Sequence, residues 1–245
     1  MPRIACLLPV PLLLTGCLPV LEVSFADGGI WNFYLFDDPD ATGELVVLPE
    51  GTVQVRDDMG ASLPKAVTNE GDGLWQIDVE PTQVVDIIVT GPSHVPTVRR
   101  IPAPSTTAQF SVPLHPRSQS IVPPLMDAVA AVEGLDFTDS QALLTGQAAG
   151  MVVQPLQPES WLGADLLLVD GDGNEVEMST LTQLDDGSYG LAQDTPIDMV
   201  LASDLAPGLV VLTVRPRSGP EVVQTWFAAP GELIDGRYFA LASED

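Results

Sequence analysis

The chain has 245 residues, and its 9 Lys+Arg against 34 Asp+Glu give it a formal net charge of −25. Because nucleic acid is bound through lysine and arginine side chains, this charge argues against a nucleic-acid partner. Apolar residues make up 45% of the chain, with 21 Gly and 23 Pro among the rest, which excludes a disordered chain and predicts many short elements joined by tight turns.

The chain begins with an apolar segment that is too short to cross a bilayer. Arg3 precedes residues 4–14, which carry no charge and include Pro9 and Pro11. A membrane-spanning helix needs roughly 20 apolar residues, whereas a secretory signal peptide has an apolar region of about 7 to 15 residues followed by small ones. The segment therefore predicts export, with residues 1–16 removed as a signal peptide.

The residues that end this segment, Leu14-Thr15-Gly16-Cys17, resemble the bacterial lipobox at all four positions. The resemblance implies that cleavage falls before Cys17, that its thiol carries a diacylglycerol and that the new amine is acylated, as in a palmitate-bearing lipoprotein. Several acyl chains together make a stable membrane anchor. Leu18, in place of an aspartate, favours the outer membrane, with the periplasmic or surface face left open. The alternative is a chance Gly-Cys at the end of an ordinary signal peptide.

The segment WNFYLF (31–36) is the densest aromatic cluster of the chain. Read as a strand, it places Trp31, Phe33 and Leu35 on one face and Tyr34 on the other. Aromatic side chains usually serve the core, and the tryptophans here are expected to do so. The alternative is a ligand-binding face, for example for a glycan, that uses Trp31 and Tyr34.

Short segments with period-two alternation predict strands in both halves of the chain, because they are rich in β-branched or aromatic residues and end at Gly, Pro or Asp. They are TVQVR (52–56), LWQIDV (74–79), VVDIIV (84–89), AQFSV (108–112), GMVVQ (150–154), DLLLV (165–169), EVEMSTL (175–181), LVVLTV (209–214), VVQTWF (222–227) and RYFAL (237–241).

One helix is predicted near the midpoint, in PPLMDAVAAVEGLD (123–136), which follows a linker-like stretch. The sequence thus predicts a mainly β chain of two Ig-like β-sandwich domains joined by a linker with a short helix; the resemblance given next implies that the sandwiches are transthyretin-like. The predicted parts are the signal peptide 1–16, a first domain 17–116, the linker 117–144 and a second domain 145–245.

The two halves share their turn pattern, since VRDDMG (55–60) aligns with LVDGDG (168–173) and DGLW (72–75) with DGSY (186–189). The alignment continues only if the second half holds an insertion of about ten residues within 193–208. This pattern resembles the carboxypeptidase regulatory-like family, whose members are transthyretin-like β-sandwiches of bacterial envelope proteins. Shared turn chemistry between two sandwiches is the alternative to a duplication.

The loop DGDGNEVE (170–177) is the richest candidate for a cation site, because Asp170, Asp172 and Asn174 alternate as in a calcium loop. An EF-hand would need Gly and Glu where Glu175 and Leu181 stand, so that motif fails. The alternative is a β-turn capped by its own Asp and Asn side chains. No other cofactor is expected. A second acidic cluster, DDPD (37–40), is expected to be a solvated loop.

No catalytic signature is found in the sequence. GPSHV (91–95) lacks the second glycine of a nucleophile elbow, and His94 and His115 are the only histidines. We therefore expect no enzyme and no catalytic residue, but a lipid-anchored envelope protein that binds a protein or glycan or has a structural role. The alternatives are an accessory or regulatory module for an envelope enzyme, and a calcium- or carbohydrate-dependent adhesin.

Overall fold

The structure, a computed structural model, describes residues 30–38, 42–80, 82–102, 114–119, 122, 125–127, 141–155, 157–185, 189–192 and 194–239. Strands dominate these residues, so the predicted mainly β, β-sandwich class is confirmed. Of the predicted helix, residues 125–127 are helical, and residues 123–124 and 128–136 lie outside the described residues. The predicted strand AQFSV also lies outside them. A second short helix, α1, covers Gln141–Leu144.

The described residues form seventeen strands, in chain order. Those of the first half are β1 (Ile30–Tyr34), β2 (Thr52–Asp57), β3 (Val67–Gly71), β4 (Leu74–Asp78), β5 (Val84–Thr90), β6 (His94–Val95), β7 (Thr97–Pro102) and β8 (Arg117–Ser118). Those of the second half are β9 (Ala149–Pro155), β10 (Asp165–Val169), β11 (Glu175–Val176), β12 (Ser179–Gln183), β13 (Tyr189–Leu191), β14 (Met199–Leu205), β15 (Gly208–Arg215), β16 (Val222–Ala228) and β17 (Leu233–Phe239).

One eight-stranded sheet contains strands from both halves, in the order β13-β12-β14-β9-β17-β7-β5-β2. The C-terminal strand β17 lies between the halves and pairs in parallel with β9 on one side and with β7 on the other. Smaller sheets, β1-β4-β3 and β11-β10-β15-β16, accompany it, and β6 pairs with β8. The division into two domains stays a prediction, and any boundary between the halves has to pass through the β7–β17 pair.

Three clusters of buried residues form the core. In the first half, Val85, Ile87 and Val89 of β5 pack with the inner faces of β1 and β4. In the second half, Met151 and Val153 belong to a cluster with the four-stranded sheet, whereas Val152 between them belongs to a third cluster beside Met126 and Leu143. This alternation follows from the period of two along a strand, which turns successive side chains to opposite faces of the sheet.

The aligned turns in VRDDMG and LVDGDG have the same hydrogen bonds, whereas residues 186–188 of the second aligned pair lie outside the described residues. Asp57 accepts backbone N–H groups from the residues two and four positions later, at 3.0 and 2.8 Å. Asp170 does the same at 3.0 and 2.9 Å. Gly60 and Gly173, three positions after each aspartate, both have φ above +80°, a conformation that favours glycine. The sequence alignment thus pairs structurally equivalent turns, although a duplication stays a prediction.

The segment that the alignment treats as an insertion contains a strand that the sequence analysis missed. Strand β14 lies inside the eight-stranded sheet, between β12 and β9, and its first four residues are buried. Its register shifts between Ala202 and Leu205, and Asp204 there has a φ of +56°. Met199 and Leu201 belong to one buried cluster and Val200 to another, so both faces of the strand are buried. Its apolar residues therefore do not alternate with polar ones, which explains why the pattern did not predict a strand.

Candidate functional site

The lipobox residues, including Cys17, lie outside the described residues, which begin at Ile30. Lipidation of Cys17 therefore stays a prediction. Within the described part of the chain, no helix combines the length and the apolar character needed to cross a membrane.

The calcium candidate is a turn in which the carboxylate of Asp170 accepts hydrogen bonds from backbone N–H groups. Asp170 is 6% exposed. Its Oδ1 accepts the N–H groups of Asp172 and Asn174, and its Oδ2 accepts that of Ala206 at 3.4 Å. Asp172 and Asn174 are exposed. Among the residues with described placement, no group of three or more His, Cys, Asp and Glu could hold a metal ion. Calcium binding at this loop stays a prediction.

The aromatic cluster contributes to both faces of the three-stranded sheet. Phe33 and Leu35 are buried, as expected for core residues. Tyr34 is half-buried on the opposite face. On that face Gln76 Nε2 of β4 donates a hydrogen bond to Asn32 Oδ1 of β1, at 3.2 Å. The side chain of Trp31 lies outside the described part. Ligand binding by Trp31 and Tyr34 stays a prediction, for which only the placement of Tyr34 is described.

Ser93 and His94 belong to a tight turn between β5 and β6. The N–H of His94 donates to Gly91 O at 3.1 Å, Pro92 takes the second position and Ser93 the third, with a φ of +61°, as in a type II turn. The ring of His94 lies with Nδ1 2.6 Å from Pro92 O and Nε2 2.7 Å from Asp37 Oδ1. Both nitrogens face oxygen acceptors, so neither has a lone pair directed at a serine hydroxyl.

The acidic cluster at residues 37–40 is not a solvated loop where it is described, so that expectation was wrong. Asp38 is fully buried. Its Oδ1 accepts from Arg117 Nη1 at 3.1 Å, and its Oδ2 accepts from the N–H of Ser118 at 2.7 Å. A buried carboxylate needs a compensating charge and hydrogen bonds, and β8 supplies both. Residues 39 and 40 lie outside the described part.

Asp38 belongs to a buried group of five side chains, here called the His115 network, which joins the two halves. Arg99 on β7 donates through Nη2 to Asp235 Oδ2 on β17, at 3.0 Å, and contacts His115 Nε2 at 3.2 Å. Arg117 completes the group through Asp38. All five side chains are less than 10% exposed. Because β7 and β17 are neighbours in parallel, the Arg99–Asp235 pair spans the junction between the halves.

The environment of His115 keeps its ring neutral. Burial, with the positive charges of Arg99 and Arg117, lowers the pKa of His115 from 6.5 to about 3, although Asp38 acts in the opposite direction. A neutral imidazole can accept a hydrogen bond at one nitrogen, which fits the contact between Nε2 and Arg99.

The lowered pKa of His115 predicts acid destabilisation. The unfolded chain binds a proton near pH 6.5 that the folded chain does not accept until about pH 3, so stability falls as the pH drops through this window, by up to about 1.4 kcal/mol per pH unit. We expect His115→Gln to remove this contribution. Urea unfolding of both proteins at several pH values would measure it, and identical slopes between pH 6.5 and pH 3 would contradict the assignment.

A second buried group, here called the β16 network, lies on the opposite face of the eight-stranded sheet. Arg100 forms a two-pronged ion pair with Asp86, through Nε at 2.7 Å and Nη2 at 2.9 Å. Asp86 also accepts the N–H of Phe227 at 3.0 Å. Arg56 donates to Phe227 O at 2.9 Å and pairs with Glu232 at 2.8 Å. Side chains from the first half thus satisfy the free backbone edge of β16, as a neighbouring strand would.

These two networks were not predicted from the sequence. Four of the eight arginines, at positions 56, 99, 100 and 117, pair there with carboxylates. Arg99 and Arg117 are buried, and Arg56 and Arg100 are partly buried. The available signal was a charged residue inside an apolar strand, as in VVDIIV and VRRI. Because a buried charge requires a partner, these residues predict ion pairs between strands.

No family model matches the chain, and no curated protein matches it either.

Proposed function

We propose that the chain is a non-enzymatic, lipid-anchored protein of the bacterial cell envelope, with two β-sandwich modules that bind a protein or a glycan or hold a place in an assembly. The observation that carries the proposal is Leu14-Thr15-Gly16-Cys17 directly after a short apolar segment. Lipid chains on Cys17 would tether an acidic, strand-built protein to the outer membrane.

The contacts of the histidines support a non-enzymatic role. General bases are most often histidines with a nitrogen free to take a proton at the operating pH. His94 is engaged at both nitrogens, and His115 is buried with a pKa of about 3. The buried arginines likewise pair with carboxylates of the same chain. Contacts of this kind are typical of side chains with a structural role, which supports the proposal.

The resemblance to carboxypeptidase regulatory-like domains agrees with a binding or structural module, since the fold class is mainly β. Such a fold hosts many functions, so two alternatives remain proposals. An accessory module would be recovered from solubilised envelopes with one enzyme in equal amount. An adhesin would depend on calcium at Asp170 or on a glycan at Tyr34.

Labelling with palmitate in the native host tests the anchor. We expect the wild-type chain to incorporate the label and Cys17→Ser to lose it completely and leave the membrane fraction. Cys6→Ser is the matched control, because Cys6 is the other cysteine and lies in the predicted signal peptide. Label retained by Cys17→Ser would contradict the proposal.

A further inference from the structure

A groove with an acidic rim and apolar side chains on its floor lies in the second half, between β10–β11 on one side and Thr180 of β12 with residues 192 and 194–197 on the other. Its volume is about 330 Å³. Leu166, Val176 and Met178 line it and pack against the buried cluster below. Ile197, which is 5% exposed, also lines it. The groove therefore offers partly exposed apolar side chains above a solid core.

The rim carries one sign of charge. Asp165, Glu175, Glu177 and Asp194 line the groove and are exposed. The sequence between Arg117 and Arg215 contains no lysine, arginine or histidine, so this long stretch supplies no positive charge to offset them. Clefts lined by one sign of charge over an apolar interior concentrate the electric field and attract oppositely charged ligands.

Two arginine side chains, Arg215 and Arg217, lie against lining residues at one end of the groove. Arg215 donates to Asp165 at 3.2 Å and to Glu221, and these hydrogen bonds raise the pKa of Arg215. The guanidinium of Arg217 lies against Gly163, where an added Cβ would overlap it. One end of the groove thus already holds guanidinium groups. Glu175 and Glu177, farther along the rim, form no ion pair with any described residue.

The separation of the rim carboxylates indicates which class of ligand they can bind. No group of three or more His, Cys, Asp and Glu in the described ranges could hold a metal ion, so the rim carboxylates do not converge on one point charge. They suit a ligand with several separated positive charges. Thr195 is also in the lining, and its hydroxyl is shielded from solvent and has no hydrogen-bond partner among the described residues.

We propose that this groove binds a basic, amphipathic segment of a partner protein, with apolar side chains on the floor and lysine or arginine side chains at the rim. The inference rests on the binding function proposed above and names the class of its partner. It does not depend on the lipid anchor. Complementary charge gives such an interface its specificity and its fast association.

Binding of a labelled peptide of alternating arginine and valine residues to the full chain tests this, by fluorescence anisotropy at physiological ionic strength. We expect Glu175→Gln with Glu177→Gln to weaken binding by about tenfold, as expected when rim charges that face the ligand are lost. Glu50→Gln with Glu70→Gln removes the same charge from exposed positions in the first half, and we expect less than about a twofold change because such charges are screened.

Three results would overturn the proposal: equal weakening by both pairs of substitutions, undiminished binding of a polyarginine peptide without apolar residues, or displacement of the peptide by stoichiometric magnesium or calcium. Unfolding curves of both variants verify that they fold. A chain that binds the peptide through the groove but incorporates no palmitate would refute the anchor alone. A palmitoylated chain that fails this test would refute the groove alone.

Discussion

Replacing Asp86 by alanine is expected to lower the free energy of unfolding by about 3–5 kcal/mol, since it removes one partner of a buried ion pair. Asp86 is fully buried and accepts two hydrogen bonds from Arg100 and one from the N–H of Phe227. Alanine would leave the Arg100 guanidinium without a countercharge and the edge of β16 without an acceptor. Urea unfolding monitored by tryptophan fluorescence would measure the loss.

Two further variants separate burial from charge. Asp165→Ala breaks the ion pair with Arg215, in which the Asp165 side chain is 72% exposed and the Arg215 side chain 49%. We expect this substitution to lower the free energy of unfolding by at most about 1 kcal/mol. Asp86→Leu combined with Arg100→Leu removes both buried partners and should cost less than Asp86→Ala alone. If Asp86→Ala were no more costly than Asp165→Ala, the β16 network would not stabilise the junction between the halves.

Asp170→Ala is expected to lower the free energy of unfolding by about 2–4 kcal/mol, because it leaves backbone N–H groups without an acceptor. The carboxylate binds the N–H groups of Asp172, Asn174 and Ala206. The turn is also packed closely, since a Cβ on Gly171 would overlap the backbone carbonyl of Pro207. Thermal or urea unfolding in a chelator would measure the effect.

Asp172→Ala is the matched control for the acidic turn. Asp172 is exposed, and a surface substitution of this kind changes stability by about 0.5 kcal/mol or less. If the loop binds calcium, calcium should raise the melting temperature of the wild type. Both Asp170→Ala and Asp172→Ala should then abolish this rise. Equal losses of stability in chelator would contradict the structural role assigned to Asp170.

Local patterns in the sequence predicted the strands and the turns well. The period of two located β2, β4, β5, β10, β15 and β16 within a residue or two, because each has one face in the core. The Asp-to-Gly turns were predicted from the conformational needs of glycine and the capping capacity of aspartate. EVEMSTL was predicted as one strand, but it forms β11 and β12, which belong to different sheets.

Pairing between distant strands could not be predicted in this way. Nothing in the segment RYFAL indicates that β17 lies between β7 and β9 in parallel, because register and neighbours depend on tertiary packing. The ion pair between Arg99 and Asp235 could not be predicted for the same reason, because the two residues are 136 positions apart and meet only through the pairing of β7 with β17. Three arginines of the first half, Arg56, Arg99 and Arg100, hydrogen-bond to residues of the second half that are at least 125 positions away.

The mass of the N-terminal peptide, measured on protein purified from the membranes of its native host, tests the central claim most directly. The proposed function predicts a mature chain that begins at Cys17, with a thioether-linked diacylglycerol on the sulfur and an acylated amine. A peptide that begins upstream of Cys17, or one that contains an unmodified Cys17, would contradict it.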